Sequence, residues 1–219
     1  MITSQFFHSI EEETEGLYKE KGSKFIAYAY PVSTVEEVME KLQDVKSMHP
    51  KARHHCYAYR LGRDRQIFRQ NDDGEPSGTA GRPILGQIDS FELTNVLVVV
   101  VRYFGGKLLG ASGLITAYKE CTSDALHSAR IIKHEVRAHF KISFDYAVMG
   151  SLMQNLSKNG AKVEKQVFDE NPRIWISMSL PDSRDSMDRV IASTLDMYVE
   201  EVQGKRTFDR MSVERFEDR

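Results

Sequence analysis

The sequence predicts an α+β protein of two domains, and three patterns in its 219 residues lead to that prediction. Val96 to Val101 is an unbroken apolar, mostly β-branched run, which is typical of a strand buried on both faces. Apolar and polar residues alternate from Val136 to Phe144, as in a strand with one buried face. The second half also follows the order of strands and helices of a split βαβ fold.

The first half combines strands, helices and one long loop. Lys21-Gly22-Ser23 has the composition of a hairpin turn between two β-rich segments. Thr34 can cap the helix that follows it, and the acidic residues after Thr34 suit the positive end of a helix dipole. The predicted elements are strands at 14–20, 24–31, 55–61, 66–69 and 95–101, helices at 34–48, 84–93 and 108–130, and a loop at 70–83.

The pattern of apolar and polar residues in the second half differs from that in the first. Residues 147–159 carry an apolar helical stripe, which Gly160 ends at the C′ position, and Asp182 is predicted to cap a later helix. The resulting βαββαβ order is that of a ferredoxin-like domain. We therefore expect an N-terminal α+β domain at residues 1–134 and a ferredoxin-like domain at 135–219. The predicted elements are strands at 136–144, 161–169, 173–180 and 198–202, and helices at 147–159 and 182–195.

The composition is that of an ordinary globular protein, with 41% hydrophobic and 28% charged residues. No run approaches the ~20 apolar residues that span a bilayer, and the N-terminus lacks a signal-peptide pattern. Cys56 and Cys121 indicate free thiols of a reducing compartment, so we expect a cytoplasmic protein with no membrane partner. A net charge of −2 argues against indiscriminate coating of nucleic acid. The locally basic segment at 51–69 fits either a specific anionic partner or solvated strand faces.

The end of the buried strand has an unusual composition. Arg102 and Lys107 flank two aromatic residues and the pair Gly105-Gly106. Glycine loses more backbone entropy on folding than any other residue, and a cation beside a core needs a partner, so this composition is costly for folding alone. One interpretation is a tight strand-to-helix turn that requires positive φ. The other is an anion-accepting corner made of backbone N–H groups, a helix N-terminus and two cations.

The loop at 72–83 has the contents of a phosphate clamp. Its glycines allow backbone N–H groups to converge, Ser77 and Thr79 add hydroxyls, and Arg82 offers a planar fork for phosphate. The spacing matches neither of the glycine-rich nucleotide motifs, which disfavours a nucleotide-hydrolysing P-loop. The acids of the loop can hold Mg²⁺ beside a phosphate or simply be solvated, and we favour solvation.

No catalytic group stands out in the sequence. His54 and His55 are neighbours on a strand and point to opposite faces, so they cannot chelate one metal ion. Cys56 is expected to be a buried, inert thiol and not a nucleophile. Ser112 lies in no G-x-S-x-G elbow. We therefore predict no catalytic residue, no metal and no cofactor.

Four segments carry distinctive motifs: Ser23-Lys24-Phe25, HHCYAY at 54–59, DDGEPSGTAGRPIL at 72–85, and the stretch from Gly86 through VVVVRYFGGKLLGASGL, which ends at residue 114. Together they resemble the IMPACT/YigZ family, and the resemblance, to its bacterial YigZ-type members, covers nearly all of the chain. It implies an N-terminal domain of the left-handed βαβ type found in a ribosomal protein and in GHMP-type kinases. It also implies a C-terminal ferredoxin-like domain similar to the last domain of elongation factor G. Eukaryotic relatives restrain a stress-activated translation kinase by competing for its activator, so the resemblance implies regulation of translation and no particular enzymatic activity.

Cations interleaved with aromatic residues suit RNA, whose bases stack and whose phosphates pair with arginine. We therefore expect a translation-linked regulatory protein that binds RNA, the ribosome or a ribosome-associated protein through an anion-binding cleft in the N-terminal domain. The alternatives are a protein-interaction scaffold and an enzyme that acts on a small phosphorylated metabolite or nucleotide, with the 70–83 loop as a lid. The predicted binding residues are Lys24, Arg53, His54, Arg60, Ser77, Gly78, Thr79, Arg82, Arg102, Tyr103, Gly105, Gly106 and Lys107.

Overall fold

The structure is a computed structural model that describes residues 5–180 and 183–216. Contacts between residues divide the chain into two compact units, the first ending at His134 and the second beginning at Glu135. Both units combine a β-sheet with helices, so the predicted α+β class is confirmed. Among the described helices, none is both long enough and apolar enough to cross a membrane.

The elements of the first unit follow the predicted order, with one unpredicted short strand near each end of the unit. These two short strands pair with each other outside the main sheet. The first helix begins after Thr34, whose hydroxyl accepts a hydrogen bond from the Glu37 amide at 3.2 Å, as predicted for a capping residue. The elements are strands β1 (Phe6–Ile10), β2 (Thr14–Glu20), β3 (Ser23–Pro31), β4 (His54–Leu61), β5 (Ile67–Asn71), β6 (Val96–Tyr103) and β7 (Ile131–Glu135), and helices α1 (Val35–Met48), α2 (Gly81–Ser90) and α3 (Gly110–Ser128).

The main sheet of the first unit is antiparallel and has the order β2-β3-β6-β4-β5, so β6 lies at its centre. The predicted burial of β6 on both faces is confirmed, because every residue from Val96 to Val101 is 0% exposed. Alternate residues of β6 pack against α2 and α3 on one face and against α1 on the other. The α2 and α3 face carries small side chains from the neighbouring strands, whereas the α1 face carries tyrosines. These residues are Ala27, Ala29, Cys56 and Ala58 on the first face and Tyr30, Tyr57 and Tyr59 on the second.

Several element boundaries in the first unit differ from the prediction by one to three residues, and two of these differences bear on the site. Strand β6 continues through Arg102 and Tyr103, because these residues still pair with Phe25 and Lys24 of β3. Helix α2 begins at Gly81, three residues before the predicted start, because hydrogen bonds from the start of the helix fold the preceding loop against it. Both differences lie within the segments that resemble the IMPACT/YigZ family.

The second unit is the predicted βαββαβ domain. Its helices pack on one face of a four-stranded antiparallel sheet, around a core that includes Phe140, Ile142, Ile174 and Ile176. The final strand pairs with the first strand of the unit, at one edge of the sheet. The elements are strands β8 (Arg137–Phe144), β9 (Lys162–Val167), β10 (Arg173–Ser179) and β11 (Met211–Phe216), helices α4 (Met149–Lys158), α5 (Ser183–Leu195) and α6 (Val199–Val202), and a 3₁₀ turn at Tyr146–Val148. The strand order is β11-β8-β10-β9.

The prediction of a final strand at 198–202 is wrong. This segment forms α6, and the Glu201 carboxylate accepts a hydrogen bond from the Tyr198 amide at 2.8 Å. Acidic residues in a first helical turn interact favourably with the helix dipole, which favours a helix over a strand here. The final strand is β11, where Met211 and Val213 are buried on the core side. The predicted cap residue Asp182 lies outside the described residues.

Candidate functional site

A buried ion pair lies near the end of β6. Arg102 Nη1 donates to Glu75 Oε1 at 2.6 Å, and the two side chains are 7% and 3% exposed. Tyr118 of α3 donates its hydroxyl to the same carboxylate oxygen at 2.9 Å. The Cys56 thiol of β4 lies 3.3 Å from that hydroxyl and 2.9 Å from the carbonyl oxygen of Asp72. One buried polar network therefore joins the 72–83 loop, β4, β6 and α3.

Aromatic rings further enclose Arg102. Its guanidinium carbon lies 5.4 Å from the centre of the Phe25 ring and 5.6 Å from the centre of the Phe104 ring, within the range of cation–π attraction. Its buried Nε has no hydrogen-bond partner among the described residues. The expectation that Arg102 offers its charge to a ligand is therefore corrected, because the guanidinium is buried, paired with Glu75 and covered by rings.

The two glycines after β6 serve different purposes. A Cβ on Gly105 would lie only 1.9 Å from the carbonyl carbon of Gly22, so the bend packs directly against the β2–β3 hairpin turn. The Gly105 amide donates to the Ser23 hydroxyl at 3.1 Å. Gly106 has a φ of +82°, which favours glycine, and a Cβ there would meet open space. This geometry matches the interpretation as a tight strand-to-helix turn. Of Arg102 and Lys107, the two cations that flank the bend, Lys107 is exposed and Arg102 is buried.

The amides of the 72–83 loop do converge on a carboxylate, but that carboxylate is the chain's own Asp72. It accepts hydrogen bonds from the amides of Gly78, Ala80 and Gly81 at 2.9, 3.0 and 2.9 Å. Burial alone would raise the pKa of Asp72, but the three amide hydrogen bonds together outweigh burial and lower that pKa. The amides of the predicted phosphate clamp are thus already engaged within the chain, which corrects the expectation that they are open to a ligand.

Further contacts hold the loop against the sheet. Asp73 accepts a hydrogen bond from the His55 amide at 2.6 Å, and its carbonyl oxygen lies 2.8 Å from His54 Nδ1. The Thr79 hydroxyl donates to the Pro76 carbonyl at 2.6 Å. Together with Glu75, these contacts fix the loop at several points along its length. Within the residues that the structure describes, no group of three or more histidine, cysteine or carboxylate side chains could hold a metal ion.

Some of the remaining predicted residues form hydrogen bonds or ion pairs within the chain, and the others are exposed to solvent. Arg60 forms two hydrogen bonds with Asp89, from Nε at 2.6 Å and from Nη2 at 2.9 Å, so its charge is paired within the chain. The Tyr103 hydroxyl lies 2.9 Å from Nδ1 of His49. Ser77 is exposed, as are several cations that form no ion pair with a described residue. These cations are Lys24, Arg53, Arg82 and Lys107.

A groove of about 410 Å³ lies between α2 and α3, and two exposed cations line it. Arg82 and Lys119 form no hydrogen bond and no ion pair with any described residue, in contrast to Arg60 and Arg102. We call this the α2–α3 groove. Lys119 is absent from the sequence prediction, although it stands four residues after Ile115 on a predicted helix and therefore shares a face with it. The groove is lined by Gly78, Arg82, Pro83, Gly86, Gln87, Ile115 and Lys119.

Both cysteines are buried and free, and we expect them to be unreactive in the folded chain. Burial raises the pKa of Cys121 to about 12 and also raises the pKa of Cys56, so neither thiol forms the reactive thiolate near neutral pH. Titration with a disulfide reagent such as DTNB should detect no fast thiol in the native protein and both thiols after denaturation. A fast-reacting Cys56 in the native chain would contradict its place in the buried network.

The comparisons with known proteins agree with these motifs. A family model described as the Impact N-terminal domain matches residues 21–126. IMPACT family member YvyE of Bacillus subtilis is 36% identical over 171 residues, which is 78% of each chain. The chain belongs to the IMPACT family. The predicted membership is thereby confirmed. Apart from Tyr118, the side chains of the buried network lie in the motif segments of this IMPACT family member, as do both glycines of the bend.

Two other relatives match smaller parts of this IMPACT family member, and two solved structures are also similar to it. IMPACT family member YigZ of Escherichia coli is 34% identical, covering 65% of this chain and 71% of its own. Protein IMPACT of Homo sapiens is 39% identical over 97 residues, covering 42% of this chain and 29% of its own. A crystal structure titled only as that of a hypothetical protein covers 99% of this chain with a TM-score of 0.66 and 24% identity, which supports the two-domain fold alone. The two-domain translational regulator Yih1 is 28% identical over 54% of this chain, but its TM-score of 0.36 is too low to bear on the fold.

Proposed function

We propose that this IMPACT family member is a translation-linked regulatory protein whose N-terminal unit binds the phosphate backbone of RNA. The observation that carries the proposal is the α2–α3 groove, where Arg82 and Lys119 line one cavity and neither is paired with any residue in the described part of the chain. Unpaired cations on a protein surface are the groups that neutralise phosphates. Arg60 and Arg102 are excluded from this role because each is paired with a carboxylate of the chain.

The shape of the groove supports contact with a polymer backbone. Gly78 and Gly86 contribute no side chain, and a Cβ added at either position would meet nothing within 4 Å, so the floor is open to close approach. Ile115 is 42% exposed and adds an apolar contact beside the cations. Arginine is suited to phosphate because its planar fork can donate two hydrogen bonds at once. The groove can therefore hold an anionic chain against both helices.

Family membership supports the link to translation. The resemblance to the IMPACT/YigZ family implies regulation of translation, and the Impact N-terminal domain match at residues 21–126 lies within the unit that carries the groove. Ribosomal RNA or tRNA is the partner that fits both observations, because it belongs to the translation machinery and its phosphates can pair with the unpaired cations. A ribosome-associated protein with an acidic surface is the competing partner, and the experiment below separates the two.

The enzymatic alternative has no observation in its favour. A lid must open and close, whereas the 72–83 loop is held by Asp72 against the start of α2 and by Glu75 against β6. Cys56 is buried with a raised pKa, so it offers no nucleophile. We therefore do not propose catalysis for this site.

We expect Arg82→Ala/Lys119→Ala to weaken tRNA binding roughly thirtyfold at about 0.1 M salt, because two phosphate contacts are lost. The measurement is the affinity of the full chain for labelled tRNA and for purified ribosomes. The matched control is Lys46→Ala/Lys158→Ala, which removes the same charge from exposed positions on α1 and α4. Equal tRNA affinities for the two double variants would contradict the proposal. Binding to ribosomal proteins without binding to RNA would favour the acidic protein partner instead.

A further inference from the structure

Among the residues that the structure describes, no helix packs on one of the two faces of the second unit's sheet. Every second residue of β8 points away from the core, and these residues are partly exposed, whereas the residues between them are buried. Helices α4, α5 and α6 all contribute to the core on the opposite face. The open face therefore presents side chains from four adjacent strands. On β8 these side chains are Arg137, His139, Lys141 and Ser143.

Aromatic residues on this open face stand beside lysines. Trp175, the single tryptophan of the chain, lies on β10 directly between Lys141 of β8 and Lys165 of β9. Lys165 Nζ lies 5.0 Å from the centre of the Trp175 ring. In the next row across the sheet, Phe216 of β11 is opposite His139 of β8, and their ring centres are 5.8 Å apart. We call these five residues the open-face platform.

The charges on the platform favour an anionic ligand. Lys165 forms no ion pair with a described residue. Lys141 Nζ lies 3.3 Å from Glu214, but the two side chains are 31% and 67% exposed, and such an exposed pair is weak and exchangeable. Beside the platform, Arg137 and Glu164 are bonded to Ser177, which is 0% exposed, so that part of the face is closed by its own contacts.

The distance between the two rows that carry the aromatic residues favours a single-stranded nucleic acid as the ligand. His139 and Lys141 are two residues apart on β8, which separates the rows by about 7 Å. This distance is about twice the 3.4 Å repeat of a duplex strand, so bases on adjacent rows must be splayed apart. Unstacked bases that lie on aromatic side chains, with phosphates near lysines, are how open four-stranded sheets bind single-stranded RNA. An acidic peptide would satisfy the lysines but would leave the aromatic rings uncovered.

We propose that the open-face platform binds single-stranded RNA, with one base stacked on Trp175, a second base on His139 and Phe216, and phosphates near Lys141 and Lys165. This surface belongs to the second unit and therefore goes beyond the α2–α3 groove of the first. It would give the chain a way to contact unpaired bases, whereas the groove contacts only the backbone. Either proposal can hold or fail without the other.

Trp175 fluorescence tests this inference directly, because the signal comes from one residue. We expect an oligouridine of about twelve nucleotides to quench Trp175 with a saturable dependence on concentration, since a stacked base contacts the ring. Arg82→Ala/Lys119→Ala should leave that quenching at saturation unchanged. Unchanged Trp175 fluorescence at saturating oligouridine would overturn the inference. So would equal quenching by a duplex RNA of the same length or by polyglutamate.

Variants of the platform provide the second measurement. Trp175→Ala should weaken binding of labelled oligouridine roughly tenfold, and Trp175→Phe should retain most of the affinity because an aromatic ring remains. Lys165→Ala should lower the salt dependence of binding while leaving the tryptophan in place. The control is Tyr198→Ala, which removes a 78% exposed aromatic residue next to α6, on the helical side. Equal losses for Trp175→Ala and Tyr198→Ala, or none for either, would overturn the inference.

Discussion

Arg102→Ala should destabilise the N-terminal unit by about 3–5 kcal/mol, which is a large effect for a single substitution. The variant leaves the Glu75 carboxylate buried at 3% exposure, and the Tyr118 hydroxyl is then its one side-chain donor within residues 5–180 and 183–216. An uncompensated buried charge is far more costly than the loss of an exposed pair. Denaturant unfolding followed by far-UV circular dichroism measures the change in the free energy of unfolding.

Two further variants separate this explanation from a general effect of losing an arginine. Arg82→Ala removes an exposed, unpaired guanidinium of the same unit and should change stability by no more than about 0.5 kcal/mol. Glu75→Leu/Arg102→Met removes both charges and should recover most of the loss, because no unpaired charge remains in the core. If Arg102→Ala is as stable as Arg82→Ala, the ion pair is not a structural element, and Arg102 returns as a candidate ligand-binding group.

Gly105→Ala should destabilise the first unit by about 3 kcal/mol. The added methyl group would lie 1.9 Å from the Gly22 carbonyl carbon and 2.2 Å from both the Gly22 oxygen and the Ser23 amide nitrogen. These neighbours are backbone atoms, so no rotamer change can relieve the clash, and the bend must move away from the β2–β3 turn. Thermal or chemical unfolding of the purified variant measures the effect.

The matched control for this substitution is Gly86→Ala. Gly86 lies inside α2, and a Cβ there would meet nothing within 4 Å. Alanine is a better helix former than glycine, so Gly86→Ala should stabilise the chain by about 0.5–1 kcal/mol. Opposite signs for the two Gly→Ala changes are therefore expected. A Gly105→Ala variant with unchanged stability would show that the bend does not pack against the hairpin turn as described.

The sequence predicts the fold well wherever hydrophobic periodicity is the deciding signal. The unbroken apolar run of β6 and the alternation of β8 each have one interpretation, and both are confirmed. Periodicity fails where a segment is short. Residues 198–202 contain too few positions to distinguish a strand from a helical turn, and Glu201 decides for the helix by bonding to the Tyr198 amide.

The site is harder to predict, because it depends on which distant residues become partners. The sequence places cations and amides at the end of β6 and in the 72–83 loop. It does not reveal that Glu75 reaches Arg102, 27 positions away, or that Asp72 takes the amides of its own loop. Composition alone cannot distinguish a cation awaiting a ligand from one paired inside the fold. On that distinction we propose the binding role for Arg82 and Lys119, and not for Arg102 and Arg60.

The salt dependence of tRNA binding tests most directly whether the exposed cations of the α2–α3 groove contact phosphate. Each phosphate neutralised contributes about 0.7–0.9 to the slope of log affinity against log salt concentration. Arg82→Ala/Lys119→Ala should therefore reduce that slope by about 1.4–1.8 relative to the unmodified chain, whereas Lys46→Ala/Lys158→Ala should leave it unchanged. A slope that is the same for all three proteins would contradict the account, whatever their absolute affinities.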